Sequence, residues 1–267
     1  MKKLENFHEK NICYKSDDNQ VRIYHDDCIS FLKKLDDESV DIIVTDPAYS
    51  GMNQKMKFGK GRIVGSYQKE DNDKWFTEFH DTEENYRKFL EECNRVLKED
   101  THLYIMFDSF SLLSLGSLVR EYFDVKNIIV WDKVNLGMGH YFRRRHEFII
   151  FATKGKKKLN SRAIPDVWRF KRIHRAKYPT QKPTEVFEAM LAGSVDKDEG
   201  LVVCDPFLGS GSSAIAAIKK GCSFIGTDID KKSCEFSADR ITHYKNSDED
   251  KYQPKKSNIE GEKIFWE

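Results

Sequence analysis

No uninterrupted apolar run in this 267-residue sequence approaches the roughly 18 residues that a membrane-spanning helix needs. The opening Met-Lys-Lys-Leu-Glu-Asn leads into polar sequence rather than a signal peptide's apolar core. The six cysteines, at 13, 28, 93, 204, 222 and 234, form no Cys-x-x-Cys pair and show no metal-ligand spacing. These absences argue against secretion, membrane spanning, a disulfide scaffold and a zinc ribbon. The expectation is free thiols in a reducing cytoplasm, with no bound metal. A surplus of charge is missing too, because 45 Lys and Arg face 44 Asp and Glu for a formal +1. As an average, that balance speaks against a strongly basic nucleic-acid binder. No internal repeat is present.

What the chain does have is 39% hydrophobic and 33% charged residues, the composition of a folded domain. Short β-rich runs alternate with amphipathic stretches, which predicts an α/β fold: a mostly parallel, seven-stranded sheet with helices on both faces, in a single Rossmann-like domain over 1–267. The expected strands are 21–25, 40–45, 101–107, 127–132, 146–152, 201–205 and 223–228. The expected helices are 27–35, 82–98, 110–122, 183–193, 211–221 and 230–243. Within 82–98, Tyr86, Phe89, Leu90, Cys93 and Leu97 recur at three- and four-residue steps, a stripe suited to packing on a sheet. Residues 50–75, punctuated by Gly51, Gly59, Gly61 and Gly65, read as a mobile loop. Residues 153–182 read as basic and irregular, and 244–267 as a polar tail ending in Ile264-Phe265-Trp266.

Two strand ends carry the chemistry. Residues 201–214 run from an apolar strand into Asp205-Pro206-Phe207-Leu208-Gly209-Ser210-Gly211 and then a helix. Gly209 and Gly211 let a ligand approach the backbone. Seventeen residues after Gly211 a second strand ends in Asp228, where an open α/β sheet places a carboxylate for ribose hydroxyls. The pattern implies a nucleoside-containing cofactor and does not by itself separate NAD from S-adenosylmethionine. Asp205 beside Phe207 leans toward the latter, since a carboxylate suits an ammonium group and repels a pyrophosphate.

The other strand end, Val40 to Thr45, opens into Asp46-Pro47-Ala48-Tyr49. The nitrogen of an exocyclic base amine is a poor nucleophile because its lone pair is delocalised into the ring. Acceptors aimed at its two N–H bonds hold it toward sp³ geometry and stabilise developing positive charge. Asp46 and the Pro47 carbonyl are such a pair, and Tyr49 offers a face on which an extruded base can stack. A plain Asp-Pro turn is the competing reading of these residues.

Together, Asp46-Pro47-Ala48-Tyr49 followed much later by Asp205 to Gly211 resembles an amino-group DNA methyltransferase, with the motif order of the circularly permuted β class. The resemblance runs from about residue 20 to 243. It implies a methyltransferase domain that binds S-adenosylmethionine. It also implies that Asp27, in His25-Asp26-Asp27-Cys28, contacts the cofactor adenine, and that Thr180 and Lys182, in Thr180-Gln181-Lys182-Pro183, lie against its methionine end. Trp131-Asp132-Lys133 and the segment from His146 to Gly155 resemble later strands of the same domain. Two positions depart from the family pattern: Ala48 stands where Pro is usual, and Ser212 where Thr is more frequent. Asp at the first tetrapeptide position goes with adenine N6, whereas Ser goes with cytosine N4. Cytosine C5 transfer would need a cysteine nucleophile, and no Pro-Cys dipeptide is present. Direct in-line displacement is therefore expected.

The charge average conceals its distribution. From Arg143 to Lys182 there are 14 Lys or Arg against two acids, Glu147 and Asp166. That surplus of 12 leaves the remainder of the chain at −11. The block is interleaved with Phe148, Phe151, Trp168, Phe170 and Tyr178, and reads as a phosphate-tracking, target-recognition surface for double-stranded DNA. Arg169, Lys171, Arg172, His174 and Arg175 are its candidate contacts. The loop 50–75, with Lys55, Lys57, Lys60, Arg62 and Lys69, could close over an extruded base. The competing functions are a cytosine-N4 enzyme, an RNA or protein methyltransferase, an NAD-dependent oxidoreductase and a DNA-binding protein without catalysis. The resemblance makes a homodimer and a cognate restriction endonuclease plausible partners.

Overall fold

Every expected strand forms, and each lies in one sheet whose order is β1-β2-β9-β8-β3-β4-β6-β5-β7. This computed structural model describes residues 4–47, 82–137, 140–174, 176–178, 180–196 and 200–253. The strands are β1 Ile12–Lys15, β2 Val21–His25, β3 Val40–Thr45, β4 Leu97–Phe107, β5 Asp124–Asp132, β6 His146–Lys154, β7 Val167–Arg169, β8 Val202–Asp205 and β9 Ser223–Asp228. The sheet thus has nine strands among the described residues rather than seven. The additions are its two edges. β1 pairs antiparallel with β2, and three-residue β7 pairs parallel with β5 inside the segment expected to be irregular. Both are short and half-exposed, and neither has the run of buried β-formers that marks a central strand. β6 runs antiparallel to β4 and β5, while the pairs from β2 through β4 are parallel.

The helices divide between the two faces. α1 Cys28–Lys33, α2 Glu83–Val96 and α3 Ser109–Leu115 pack on one, with a 3₁₀ turn over Gly116–Glu121. α4 Thr184–Ala192, α5 Ser212–Lys219 and α6 Lys231–Ser247 pack on the other. α2 shows how sequence makes such a helix. The Thr82 hydroxyl accepts from the Asn85 N–H, Glu83 and Glu84 suit the positive end of the dipole, and Tyr86, Phe89, Leu90, Cys93 and Val96 are buried. The expected helix 110–122 instead breaks at Gly116 into an α and a 3₁₀ part. The last helix outlasts its expected end, so Tyr244–Ser247 belong to α6 rather than to a tail.

β3 is buried along its whole length, as a central strand must be. Its one charge, Asp41, is satisfied by the Lys98 ammonium at 2.5 Å and the Val202 N–H at 2.9 Å. β8 leads through α5 to β9 on one side, and β3 leads toward β4 on the other, with α5 and α2 on opposite faces. A parallel sheet opens a crevice at such a switch point, beyond the carboxyl ends of the two strands. Asp205 and Asp46 sit there as neighbours although 159 residues separate them.

Candidate active site

The glycine turn after β8 is held from three sides. Gly209 and Gly211 have φ of +51° and +79°, in the left-handed region that side chains disfavour. A Cβ on Gly211 would lie 3.0 Å from the Ser237 Cβ of α6. The Gly209 N–H donates to Asp228 Oδ2 at 2.9 Å, and the Asp230 N–H donates to Oδ1 at 2.8 Å. Asp228 therefore ends β9 and pins the turn, while staying partly exposed. Burial pushes its carboxyl above the usual value, against these two donors. From the third side, the Ser212 hydroxyl donates to the Lys182 carbonyl at 2.7 Å, which joins the turn to Thr180-Gln181-Lys182-Pro183. Tyr178 bonds Ser233 at 2.9 Å and lies over Gly209.

Asp205 has a different place from the one its type suggested. It is 1% exposed, and it accepts from the Thr45 hydroxyl at 2.8 Å, the Phe207 N–H at 2.9 Å and the Ser213 hydroxyl at 2.5 Å. Desolvation outweighs those donors and raises its carboxyl to about 7. Its evident work is to brace the turn and tie β8 to the end of β3, rather than to stand open for an ammonium group. Phe207 packs edge-on against Phe89, with 5.4 Å between ring centroids. Asp27 caps α1, its Oδ1 accepting from Ile29 and Ser30 N–H at 3.1 and 3.0 Å. Thr180 is exposed.

At the end of β3, Asp46 meets Lys182 in a direct ion pair. Lys182 also lies 3.7 Å from Glu147, whose other oxygen takes the Lys133 ammonium at 2.9 Å. Four alternating charges thus cross the sheet edge from β3 to β5. Burial pushes the Asp46 carboxyl upward, Lys182 opposes it, Glu147 and Asp108 add to the rise, and the net direction is up. Burial alone would lower Lys182, but its two carboxylates hold it well above an ordinary lysine. Glu147 ends below its usual value because Lys182 and Lys133 outweigh its desolvation. In the sequence Glu147 stands out only as one of two acids in a basic block. Its position at the head of a strand was the signal available.

Arg240 was also missed. It is fully buried in α6 and bonds Asp250 through two nitrogens at 2.9 and 2.6 Å. It donates further to the Ser210 carbonyl, the Ser212 hydroxyl and the Thr184 hydroxyl, each at 2.9–3.0 Å. The glycine turn, the start of α4 and the segment after α6 are thereby clasped together.

In the basic segment, Lys171, Arg172 and His174 are exposed, as a phosphate-contacting surface requires. Arg169 is partly engaged by Asp132 at 3.4 Å, a carboxylate already held by Arg145 at 2.7 Å. The interleaved aromatics are mostly not a stacking surface. Phe151, Trp168, Phe170 and Tyr178 are buried, because the segment threads back along β5 and closes the core. Ala48, Tyr49, the loop 50–75, Arg175 and the tail beyond 253 lie outside the described residues. No group of three or more metal-binding side chains occurs among those described.

The sequence matches the N6_N4_Mtase family model, described as DNA methylase, over residues 40–239. It is 31% identical to the type II methyltransferase M2.DpnII of Streptococcus pneumoniae, over 84% of this chain and 90% of that one. The crystal structure of the M1.HpyAVI-SAM complex superposes with a TM-score of 0.58 at 22% identity, covering 82% of this chain and 99% of the other. The PvuII DNA methyltransferase, described as cytosine-N4-specific, superposes with a TM-score of 0.61 at 13% identity, covering 90% and 95%. Both structural matches speak to the fold.

Proposed function

Because this chain belongs to the N6/N4 DNA methylase family, we propose that it methylates adenine N6 in double-stranded DNA at the expense of S-adenosylmethionine. The observation that carries this reading is the placement of Asp46 at the end of β3, joined through Thr45 and Asp205 to the glycine turn of β8. Two half-sites far apart in sequence become one crevice. The residues suit the cofactor. The left-handed glycine turn lets a ligand approach the backbone, Asp228 presents a partly exposed carboxylate for ribose hydroxyls, and Asp27 lies at the neighbouring strand end. When bound, S-adenosylmethionine supplies an electrophilic sulfonium methyl group.

Asp46 and the Pro47 carbonyl accept the two N–H bonds of the target amine and hold its nitrogen pyramidal. The raised pKa of Asp46 suits it to take the proton that the nitrogen sheds. Lys182, its partner here, gives way to the amine and remains beside Glu147. Tyr49, three residues after Asp46 in sequence, stacks on the extruded base. The exposed Lys171, Arg172 and His174 hold the backbone, with Arg175 beside them in sequence. Asp at position 46 favours adenine over cytosine. A cytoplasmic homodimer paired with a restriction endonuclease is the accompanying proposal, supported by the type II naming of M2.DpnII.

The test is base-resolved modification mapping of DNA from cells expressing the chain, beside its Asp46→Ala variant. N6-methyladenine at one motif, lost in the variant while cofactor affinity holds, is expected. N4-methylcytosine would transfer the reading to the other amine, and turnover by the variant would remove Asp46 from the chemistry.

A further inference from the structure

Between β5 and β6 the described residues 133–137 and 140–145 pair as a hairpin stem that takes no part in methyl transfer. Its base is rigid. The Lys133 N–H donates to the Arg145 carbonyl at 2.8 Å, the Gly137 N–H donates to the Arg144 carbonyl at 2.7 Å, and Arg145 is locked to Asp132. The Arg144 guanidinium lies 4.6 Å from the ring centroid of Phe110, and the Arg143 Nε donates to the Gly137 carbonyl at 2.7 Å. On this braced stem Tyr141 is 90% exposed and Phe142 completely so. Most other aromatic rings in the basic stretch are buried, so two adjacent rings held out to water ask for a partner.

Register places the hairpin at the end of the sheet that holds the active site, two to three strands, about 10–14 Å, to the side of β3. Thr45 pairs with Ile105, Ile105 with Ile150, and Ile150 with Ile128. β5 then continues four residues to Asp132, about 13 Å at roughly 3.3 Å per residue, in the direction in which β3 delivers Asp46. The rings therefore stand beyond the same end of the sheet as Asp46, to the side of β3, flanked in sequence by His140, Arg143 and Arg144. Cationic flanks around an apolar tip fit a polyanion with a stacked interior, and extrusion of a base leaves a gap of that kind.

We propose that Tyr141 and Phe142 form a wedge that enters the duplex and fills the stacking gap left by the target base, with Arg143 and Arg144 against the flanking phosphates. The proposal rests on the methyltransferase reading, and its test separates the two. Single-turnover methylation would be measured for the parent and for Tyr141→Ala/Phe142→Ala. One duplex carries the mapped motif fully paired, and the other carries the target base opposite an abasic site. A parallel duplex carries 2-aminopurine at the target position, and thermal melting of the variant checks its fold. On paired DNA the variant should lose about ten-fold or more in rate and most of the 2-aminopurine rise, and on the abasic duplex it should return to within about two-fold of the parent. Equal loss on both duplexes would make the tip a general docking element and overturn the wedge. No loss on either would leave the rings to a protein partner and overturn it as well. A parent that methylates neither duplex would overturn the methyltransferase reading and the wedge with it, whereas a variant that matches the parent, or that fails equally on both duplexes, overturns the wedge alone.

Discussion

Replacing Arg240 by Met isolates a device that the fold uses to hold its glycine turn. The side chain is fully buried, and its partner Asp250 has a side chain only 7% exposed. Removing the guanidinium strands a carboxylate that two charge-assisted bonds had satisfied. Breaking a buried pair in this way costs about 3–5 kcal/mol. The Ser210 carbonyl loses its donor as well, worth about 1–3 kcal/mol if nothing replaces it. Relief comes from the segment 248–253, which can peel from the body and hydrate Asp250, so the net expectation is about 4 kcal/mol. For a chain of this size that corresponds to a fall in Tm of roughly 10 °C. Urea titration of Arg240→Met, Asp250→Asn and the double variant forms a complete cycle. The double variant leaves no buried charge without a partner and should recover about 2 kcal/mol relative to the sum of the singles. S-adenosylmethionine affinity should fall in Arg240→Met, because Ser210 sits between the two glycines of the turn. A single-variant cost below about 1 kcal/mol, or strict additivity, would show that the clasp contributes nothing and refute the reasoning.

Asp228→Ala should weaken S-adenosylmethionine binding by about 1–3 kcal/mol in calorimetry, the scale of hydrogen bonds to a charged group; an unchanged Kd would remove the ribose assignment. Asp205 titrates near 7 in the folded state, above its unfolded value, so the native state holds the extra proton. Its contribution to stability is complete below about pH 4 and is lost as pH rises through about 7. Asp205→Asn should flatten that slope in urea titrations between pH 4 and 7, and an unaltered slope would assign it to other groups. Charge reversal at Lys171 and Arg172 should weaken DNA binding and reduce its salt slope by about 0.9 for each phosphate no longer neutralised. A slope equal to the parent's would move the DNA surface elsewhere.

Much of this molecule was legible locally. The seven core strands, the glycine turn and Asp228 each announce themselves within a dozen residues. A short apolar run, a left-handed turn and a helix stripe are properties of short segments. The two edge strands escaped because their pairing depends on a neighbour rather than on their own composition. The basic segment was legible as charge, but its aromatics were misread as a surface, since only the return of β7 along β5 shows which side each ring faces.

By itself, then, the sequence determined the α/β class, the permuted order of its two chemical strand ends and the concentration of positive charge in one segment. The near-zero net charge of +1 hid a polarised chain rather than a neutral one. Only the tertiary structure decided that Lys182 faces Asp46 across 136 residues and that Arg240 clasps the glycine turn. It also turned Asp205 inward and left Tyr141 and Phe142 exposed to water. The physical reason is separation along the chain. A backbone conformation is dictated by the residues that adopt it, whereas the partner of a buried charge is dictated by which strands the sheet sets side by side.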